Sequence, residues 1–281
     1  MIWGYAGVWP GEFGIRKGDR SMKRLRFIVE HGFRSTGFRL SEMREPARRD
    51  EVAAFVEEYD LRLTVHARAR WLDPDTDAVR RQADEFLEDL AAYGELLRVP
   101  IVTTAVGPYH RFMDSPSLQE QMDRLAELLP HVAEACYEMG RPLGIENHGD
   151  YYCSDLVELC RRVPHLGIFL DTGNTYLIGE QSVAGCRAAA PYTIGTHFKD
   201  HYVHPQPRGG LRFVIQGAPL GEGHVGLEQV YRDLLELAPD PDGLVMQWEM
   251  VPPREMDPFE CLERSWRFVR RLTVQQAAPS A

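Results

Sequence analysis

The chain has 281 residues, a formal net charge of −10, and 44% hydrophobic against 26% charged residues, so it carries enough apolar material for a sizeable core. Its acidic balance, with both signs intermixed, argues against a nucleic-acid partner, which would need a basic stripe. No run of about 18 apolar residues exists, which excludes a membrane-spanning helix. The N-terminal MIWGYAGVWPGEFG shows no basic stretch followed by an apolar one, and the five cysteines lack CxxC spacing. Both features predict a cytoplasmic protein with reduced thiols, with a homo-oligomer left open.

Short apolar runs alternate with longer amphipathic segments. The candidate strands are 2–8, 33–40, 61–66, 101–106, 143–146, 166–171, 193–198 and 244–250, the second being the most polar because FRSTGFRL contains Gly37. Asp73-Pro74 predicts a helix reaching about residue 98, with Asp73 as the cap and Pro74 at the first helical position. Ser115-Pro116 predicts the next, whose apolar residues Met122, Leu125, Leu129, Val132, Cys136 and Met139 step by three and four. Asp257-Pro258-Phe259-Glu260 has the spacing of a capping box before a last helix ending near Leu272, while the segment 181–190 is short and weakly periodic. Eight strand–helix repeats without a low-complexity linker predict a single (β/α)8 TIM barrel over residues 1–272 and a flexible tail over 273–281. An open doubly wound sheet would carry GxGxxG after its first strand, where this chain reads YAGVWPGEFG.

The stretch LGIFLDTGN carries the first chemical signal. Its apolar run suits a strand buried on both faces, and it ends in Asp171, a carboxylate that needs a cation, either a basic side chain or a metal. In a barrel, active sites lie at the C-terminal strand ends. Three more potential ligands follow or sit in apolar runs there: Glu146 in LGIE, His197 in TIGTH and Glu249 in LVMQWE. Three carboxylates converging in one pocket repel, and one divalent cation resolves that conflict. Oxygen ligands with one imidazole suit Mn²⁺ first, with Mg²⁺, Co²⁺ and Zn²⁺ as alternatives. Taken one at a time, each residue has a plainer reading as a helix cap or a salt-bridge partner. His66, His148, Asn174, Lys199 and Arg208 are candidate substrate-binding residues, Arg208 within a polar loop, HYVHPQPRGG, long enough to form a lid. Asp200 and Glu222 are read as loop-fixing groups at least as readily as substrate contacts.

The ordered set GIENHG, FLDTGN, THFKD and QWEM, with the late loop PLGEG, resembles the xylose-isomerase-like TIM barrels. That family includes tagatose and psicose 3-epimerases, inosose isomerases and dehydratases, and the endonuclease IV type of apurinic-site nuclease. The resemblance covers nearly the whole chain. It implies that Glu146, Asp171, His197 and Glu249 bind one metal and that Glu146 and Glu249 also move protons on opposite faces of the substrate. Carbonyl chemistry agrees: a polarised carbonyl acidifies the neighbouring C–H, and two flanking carboxylates can remove and return the proton through a metal-stabilised enediolate. Two departures matter. The His that family members often carry three residues after the strand-six Asp is here Asn174, and the Asp and His that the nucleases need before LGEG are Ile215 and Gly217. One metal and no strand cleavage are expected. The function expected is isomerase or epimerase action on a small sugar, ketose or cyclitol. A lyase or dehydratase acting on a keto-sugar, keto-glycoside or cyclitol is the first alternative, and a non-catalytic sugar- or metal-binding barrel subunit the second.

Overall fold

The computed structural model describes residues 1–7, 22–206 and 212–277, with side chains through Val274. Its strands in chain order are β1 (Ile2–Tyr5), β2 (Ser35–Phe38), β3 (Arg62–His66), β4 (Val102–Thr104), β5 (Leu143–Glu146), β6 (Leu166–Asp171), β7 (Thr193–Phe198), β8 (Asp200–Pro205), β9 (Phe213–Ala218) and β10 (Val245–Trp248). Eight of them pair in the ring β1-β10-β7-β6-β5-β4-β3-β2, all in parallel, and close into a (β/α)8 barrel. The polar run FRSTGFRL supplies β2 after all, because Ser35 and Thr36 are buried against neighbouring strands.

Strand side chains alternate between two cores. Leu63, Val65, Val102, Ile145, Ile168, Leu170, Met246 and Trp248 point outward into the large core shared with the helices. Ile101, Phe169 and Val245, with Ile2 and Ile194, plug the barrel interior. Two residues beyond three of these plug residues, again facing inward, come Thr103, Asp171 and Gln247. Gln247 Nε2 donates to Ser35 Oγ and Thr64 Oγ1, both at 2.9 Å, giving the site a polar floor.

β7 needs one correction to its parity. Its pairing with β6 skips from Thr193 to Gly195, leaving Ile194 as the extra residue of a bulge. Ile194 and Gly195 both face the interior: Ile194 packs by Gly144 and Gly167, and a Cβ on Gly195 would come within 2.6 Å of Ile101. The bulge therefore sets Gly195, His197 and Lys199 on the inner face, where strict alternation from Ile194 would turn them outward.

The helices are α1 (Lys23–Glu30), α2 (Pro46–Glu58), α3 (Thr76–Tyr93), α4 (Leu118–Glu138), α5 (Cys153–Arg162), α6 (Asn174–Leu177), α7 (Ser182–Ala189), α8 (Leu227–Leu237) and α9 (Pro258–Ala277). Two helix starts lie later than the sequence suggests. α3 is capped by Asp75, which accepts from the Ala78 N–H at 2.9 Å, while Asp73 accepts from the Asp75 N–H in the turn before it. α4 is capped by Ser117 in a capping box with Glu120. In both places the first Asx-Pro or Ser-Pro pair forms the approach, and the next polar residue makes the cap. At α9 the expected cap holds, Asp257 accepting from Phe259 and Glu260, and the helix continues past Leu272 to Ala277.

The segment read as a lid loop is partly strand. β8 and β9 form an antiparallel hairpin in register Asp200↔Ala218 through Pro205↔Phe213. Its base is pinned by Asp200, whose carboxylate accepts from the backbone N–H groups of His201, Gly221, Gly223 and Val225. Arg208 lies outside the described residues. Among the described residues no helix is long and apolar enough to cross a membrane, and all five cysteines are free and buried.

Candidate metal centre

The inward parity of β5, β6, β7 and β10 brings four side chains to one point. Ligand atoms of Glu146, Asp171 and His197 all lie within 4.8 Å of one another. His197 Nδ1 is 3.0 Å from Glu146 Oε1, 3.8 Å from Glu249 Oε2 and 3.9 Å from Asp171 Oδ2. The ring itself stands edge-on to Phe169, with centroids 4.7 Å apart, so the interior plug buttresses the imidazole.

Asp171 is fully buried and serves two purposes. Its Oδ1 accepts from the backbone N–H groups of Gly173 and Asn174, each at 2.9 Å, and so turns the chain into α6. Its Oδ2 faces the cluster. Asn147 holds the backbone of the same residue, accepting from the Asp171 N–H at 2.7 Å and donating to its carbonyl at 2.8 Å. Asn174 completes this frame by donating to the Asn147 carbonyl at 3.0 Å. Capping and ligation, rival readings of Asp171 in the sequence, thus use different oxygens.

Lys199, two residues beyond His197 on the same face, enters the cluster. Its ammonium is 2.6 Å from Glu249 Oε2, 3.1 Å from Asp171 Oδ2 and 3.2 Å from Asn174 Oδ1. Burial opposes charge on every member, and the pairings decide the outcome. At Glu146 burial pushes the carboxyl up, but the His197 ring overcomes this and holds it below its usual value. At His197 burial pushes down, yet Glu146, then Glu249 and Asp171, carry it up to about 9. At Lys199 burial is likewise outweighed, by Asp171 and Glu249, and the ammonium is held above its ordinary value. Asp171 and Glu249 titrate together: burial drives Asp171 up against the pull of Lys199, whereas His197 and Lys199 outweigh burial at Glu249 and hold it down.

An imidazolium and an ammonium therefore offer two positive charges to three carboxylates. A divalent cation brings the same charge to the same oxygens and takes the imidazole in its neutral form. Oxygens spaced for one ion, with one imidazole among them, fit such a group.

A cavity of about 760 Å³ opens beside the cluster, within the usual range for a small-molecule site. Glu146, His197 and Glu249 line it, whereas Asp171 lies behind them. Of the residues read from the sequence as substrate contacts, His66 lines the cavity. Asn174 and Lys199 are buried in the cluster, and His148 is exposed past the end of β5, off the cavity wall. Glu222 fixes the late loop, pairing with Arg264 Nε at 2.9 Å and accepting from the Tyr202 hydroxyl at 3.2 Å. The structure adds Thr103, Gln247, Arg39 and Arg68 to the wall. Thr103 and Gln247 were within reach of strand parity; the two arginines follow strand ends as ordinary polar residues and carry no local motif.

The sequence matches the family model for the xylose isomerase-like TIM barrel over residues 25–272. No curated protein sequence gives a significant match. Among solved structures the chain is similar to a D-tagatose 3-epimerase-like protein, with 15% identity, a TM-score of 0.71, and coverage of 99% of this chain and 100% of that one. It is similar to the IOLI protein with a bound zinc atom, with 14% identity, a TM-score of 0.69, and coverage of 98% and 99%. It is also similar to a probable 3-DHS dehydratase from Bacillus anthracis, with 15% identity, a TM-score of 0.64, and coverage of 96% and 99%. These likenesses bear on the fold; the family model, spanning most of the chain and including all four converging residues, makes the protein a member of the xylose isomerase-like TIM barrels.

Proposed function

We propose that the protein is a metal-dependent isomerase or epimerase of a small sugar, ketose or cyclitol, with Glu146 and Glu249 as the proton-transfer residues. One observation carries this reading: the two glutamates both line the cavity and meet at one His197 nitrogen, at 3.0 and 3.8 Å, while Asp171 stands behind them. Glu146, Asp171, His197 and Glu249 would hold one divalent ion, Mn²⁺ by preference, which supplies Lewis-acid polarisation of a carbonyl. Both glutamates are held on the ionised side of their ordinary values by His197, with Lys199 adding at Glu249, so both are unprotonated, the form a general base requires.

His66 is suited to orient the substrate. Its Nδ1 lies 3.0 Å from Thr103 Oγ1, and that hydroxyl points to the Val65 carbonyl at 3.4 Å. This network assigns the proton to Nδ1 and leaves Nε2 to accept from a substrate hydroxyl. Burial lowers the ring to about 4, so it stays neutral in this role.

A lyase outcome is the second reading, favoured by the likeness to the probable dehydratase. The same C–H removal then ends in loss of a leaving group β to the carbonyl instead of reprotonation. Incubation of Mn²⁺-loaded protein with ketoses, inososes and keto-glycosides in deuterated water separates the two. Deuterium gained with no loss of water or aglycone supports the isomerase, and elimination supports the lyase. No turnover of any of these substrates with any divalent metal contradicts both.

A further inference from the structure

The cavity has a second, basic wall. It is built by the exits of β2 and β3 and the 3-10 turn Leu40–Arg44 that follows β2, with residues of α1, α2 and α3 beside them. In a chain of net charge −10, five arginines line it: Arg24, Arg39, Arg44, Arg48 and Arg68. Three carboxylates, Glu42, Glu85 and Asp89, accompany them. Arg44 Nε is satisfied by Asp89 at 2.8 Å, and Arg48 by Glu51 at 3.2 Å and Glu42 at 3.5 Å. The side chains of Arg39 and Arg68 have neither a hydrogen-bond nor an ion-pair partner among the described residues, and both line the cavity.

These two side chains leave neighbouring strands. Phe38 pairs with Val65 across β2 and β3; Arg39 follows the former and Arg68 comes three residues after the latter. His66, which ends β3, lines the same cavity as Arg68, Glu146 and His197, so the basic wall and the cluster share one space. Guanidinium groups present a planar fork of donors that matches carboxylate and phosphate oxygens. No lysine is among the lining residues.

We infer that the substrate carries an oxyanion, a phosphate or a carboxylate, at the end remote from its reacting carbonyl, and that Arg39 and Arg68 bind it. This rests on the reading above that the cavity is the substrate site. It narrows the substrate class to acidic sugars or sugar phosphates, and it makes the two arginines determinants of specificity with no part in proton transfer.

The test is calorimetric titration of metal-loaded protein with inorganic sulfate, which needs no knowledge of the sugar. Fructose 6-phosphate against fructose and galacturonate against galactose then separate a phosphate from a carboxylate preference. Wild-type protein should bind sulfate saturably, and Arg39→Gln/Arg68→Gln should weaken it at least about tenfold. Metal affinity should stay unchanged in that variant, which also certifies its fold; Arg68→Gln alone gives the same readout at smaller amplitude. One member of the charged pair of sugars should bind at least about tenfold more tightly than its neutral counterpart. Equal sulfate binding by wild type and double variant, or equal binding of charged and neutral sugars, overturns the inference. Glu146→Gln should keep sulfate binding whether or not it abolishes turnover, so failure of the proposed reaction and failure of the oxyanion site give different results.

Discussion

The two sides of the barrel mouth handle charge in opposite ways. On the side of β5, β6, β7 and β10, buried Glu146, Asp171 and Lys199 are paired with half-buried His197 and Glu249, and Asn147 and Asn174 frame Asp171 from behind. On the side of β2 and β3, exposed arginines line an open cavity, and the side chains of two have no partner among the described residues. Buried and paired charge is pre-organised for a small ion, because no solvent has to be reorganised when it binds. Unpaired charge at a cavity wall is arranged for a group that arrives with the ligand. On the function proposed above, chemistry belongs to the first side and recognition to the second.

The largest effects should come from the buried side. Glu146→Gln keeps the shape of the side chain and removes its basicity, so kcat should fall by about 10²–10⁴ in a steady-state assay, while metal content is retained in part. A variant with normal turnover would remove Glu146 from proton transfer. Asn147→Ala strips both partners from the Asp171 backbone and leaves buried polar groups unsatisfied. It should cost about 2–4 kcal/mol in denaturant unfolding and weaken metal binding in step. Unchanged stability would mean that Asp171 is positioned by its own turn alone.

Lys199→Met tests whether the ammonium and the ion serve the same oxygens. Removing a positive charge 2.6 Å from Glu249 and 3.1 Å from Asp171 should tighten divalent-metal binding about tenfold, measured by competition with a chelator, and destabilise the metal-free protein. Weaker metal binding in this variant would contradict a competition.

The last test concerns pH. Burial lowers His201 to about 4, and Lys199 adds to the shift. A folded-state value below the unfolded one means that the unfolded chain takes the proton first. The contribution of His201 is then complete above about pH 6.5 and is lost as pH falls toward 4, to an extent on the order of 1–3 kcal/mol. Asp150, which burial raises to about 6, acts in the opposite sense below that pH, so the informative quantity is wild type minus His201→Gln. That difference should shrink between pH 7 and 4.5; a constant difference would show that the ring is not buried in its neutral form.

Much of the barrel was legible because its strands are buried on both faces and read as short apolar runs with fixed parity. Glu146, Asp171 and Glu249 each stand where such a run meets the barrel mouth. His197 was found for the same reason, but its inward aim depends on the bulge at Ile194, whose one trace in TIGTHF is Gly195. The hairpin was hidden because HYVHPQPRGG is rich in proline and polar residues, and its pairing partner, Phe213–Ala218, offers only the short apolar run FVI before Gln216 and Gly217, despite the Gly209-Gly210 turn signal ahead of it. Helix starts slipped by two residues, to Asp75 and Ser117, since a polar residue before proline and the true cap look alike locally. The basic wall could not be read at all: Arg39, Arg48 and Arg68 follow β2, sit on α2 and follow β3, and no local pattern shows that the pairing of β2 with β3 sets them on one cavity wall.

The central claim is that Glu146, Asp171, His197 and Glu249 form one cation site. Elemental analysis of protein purified without chelator and dialysed against Mn²⁺ tests it most directly, alongside His197→Ala and Asp171→Asn. The account predicts one divalent ion per chain in the wild type and substoichiometric metal in both variants. A metal-free wild type, or variants that retain one ion per chain, would contradict it.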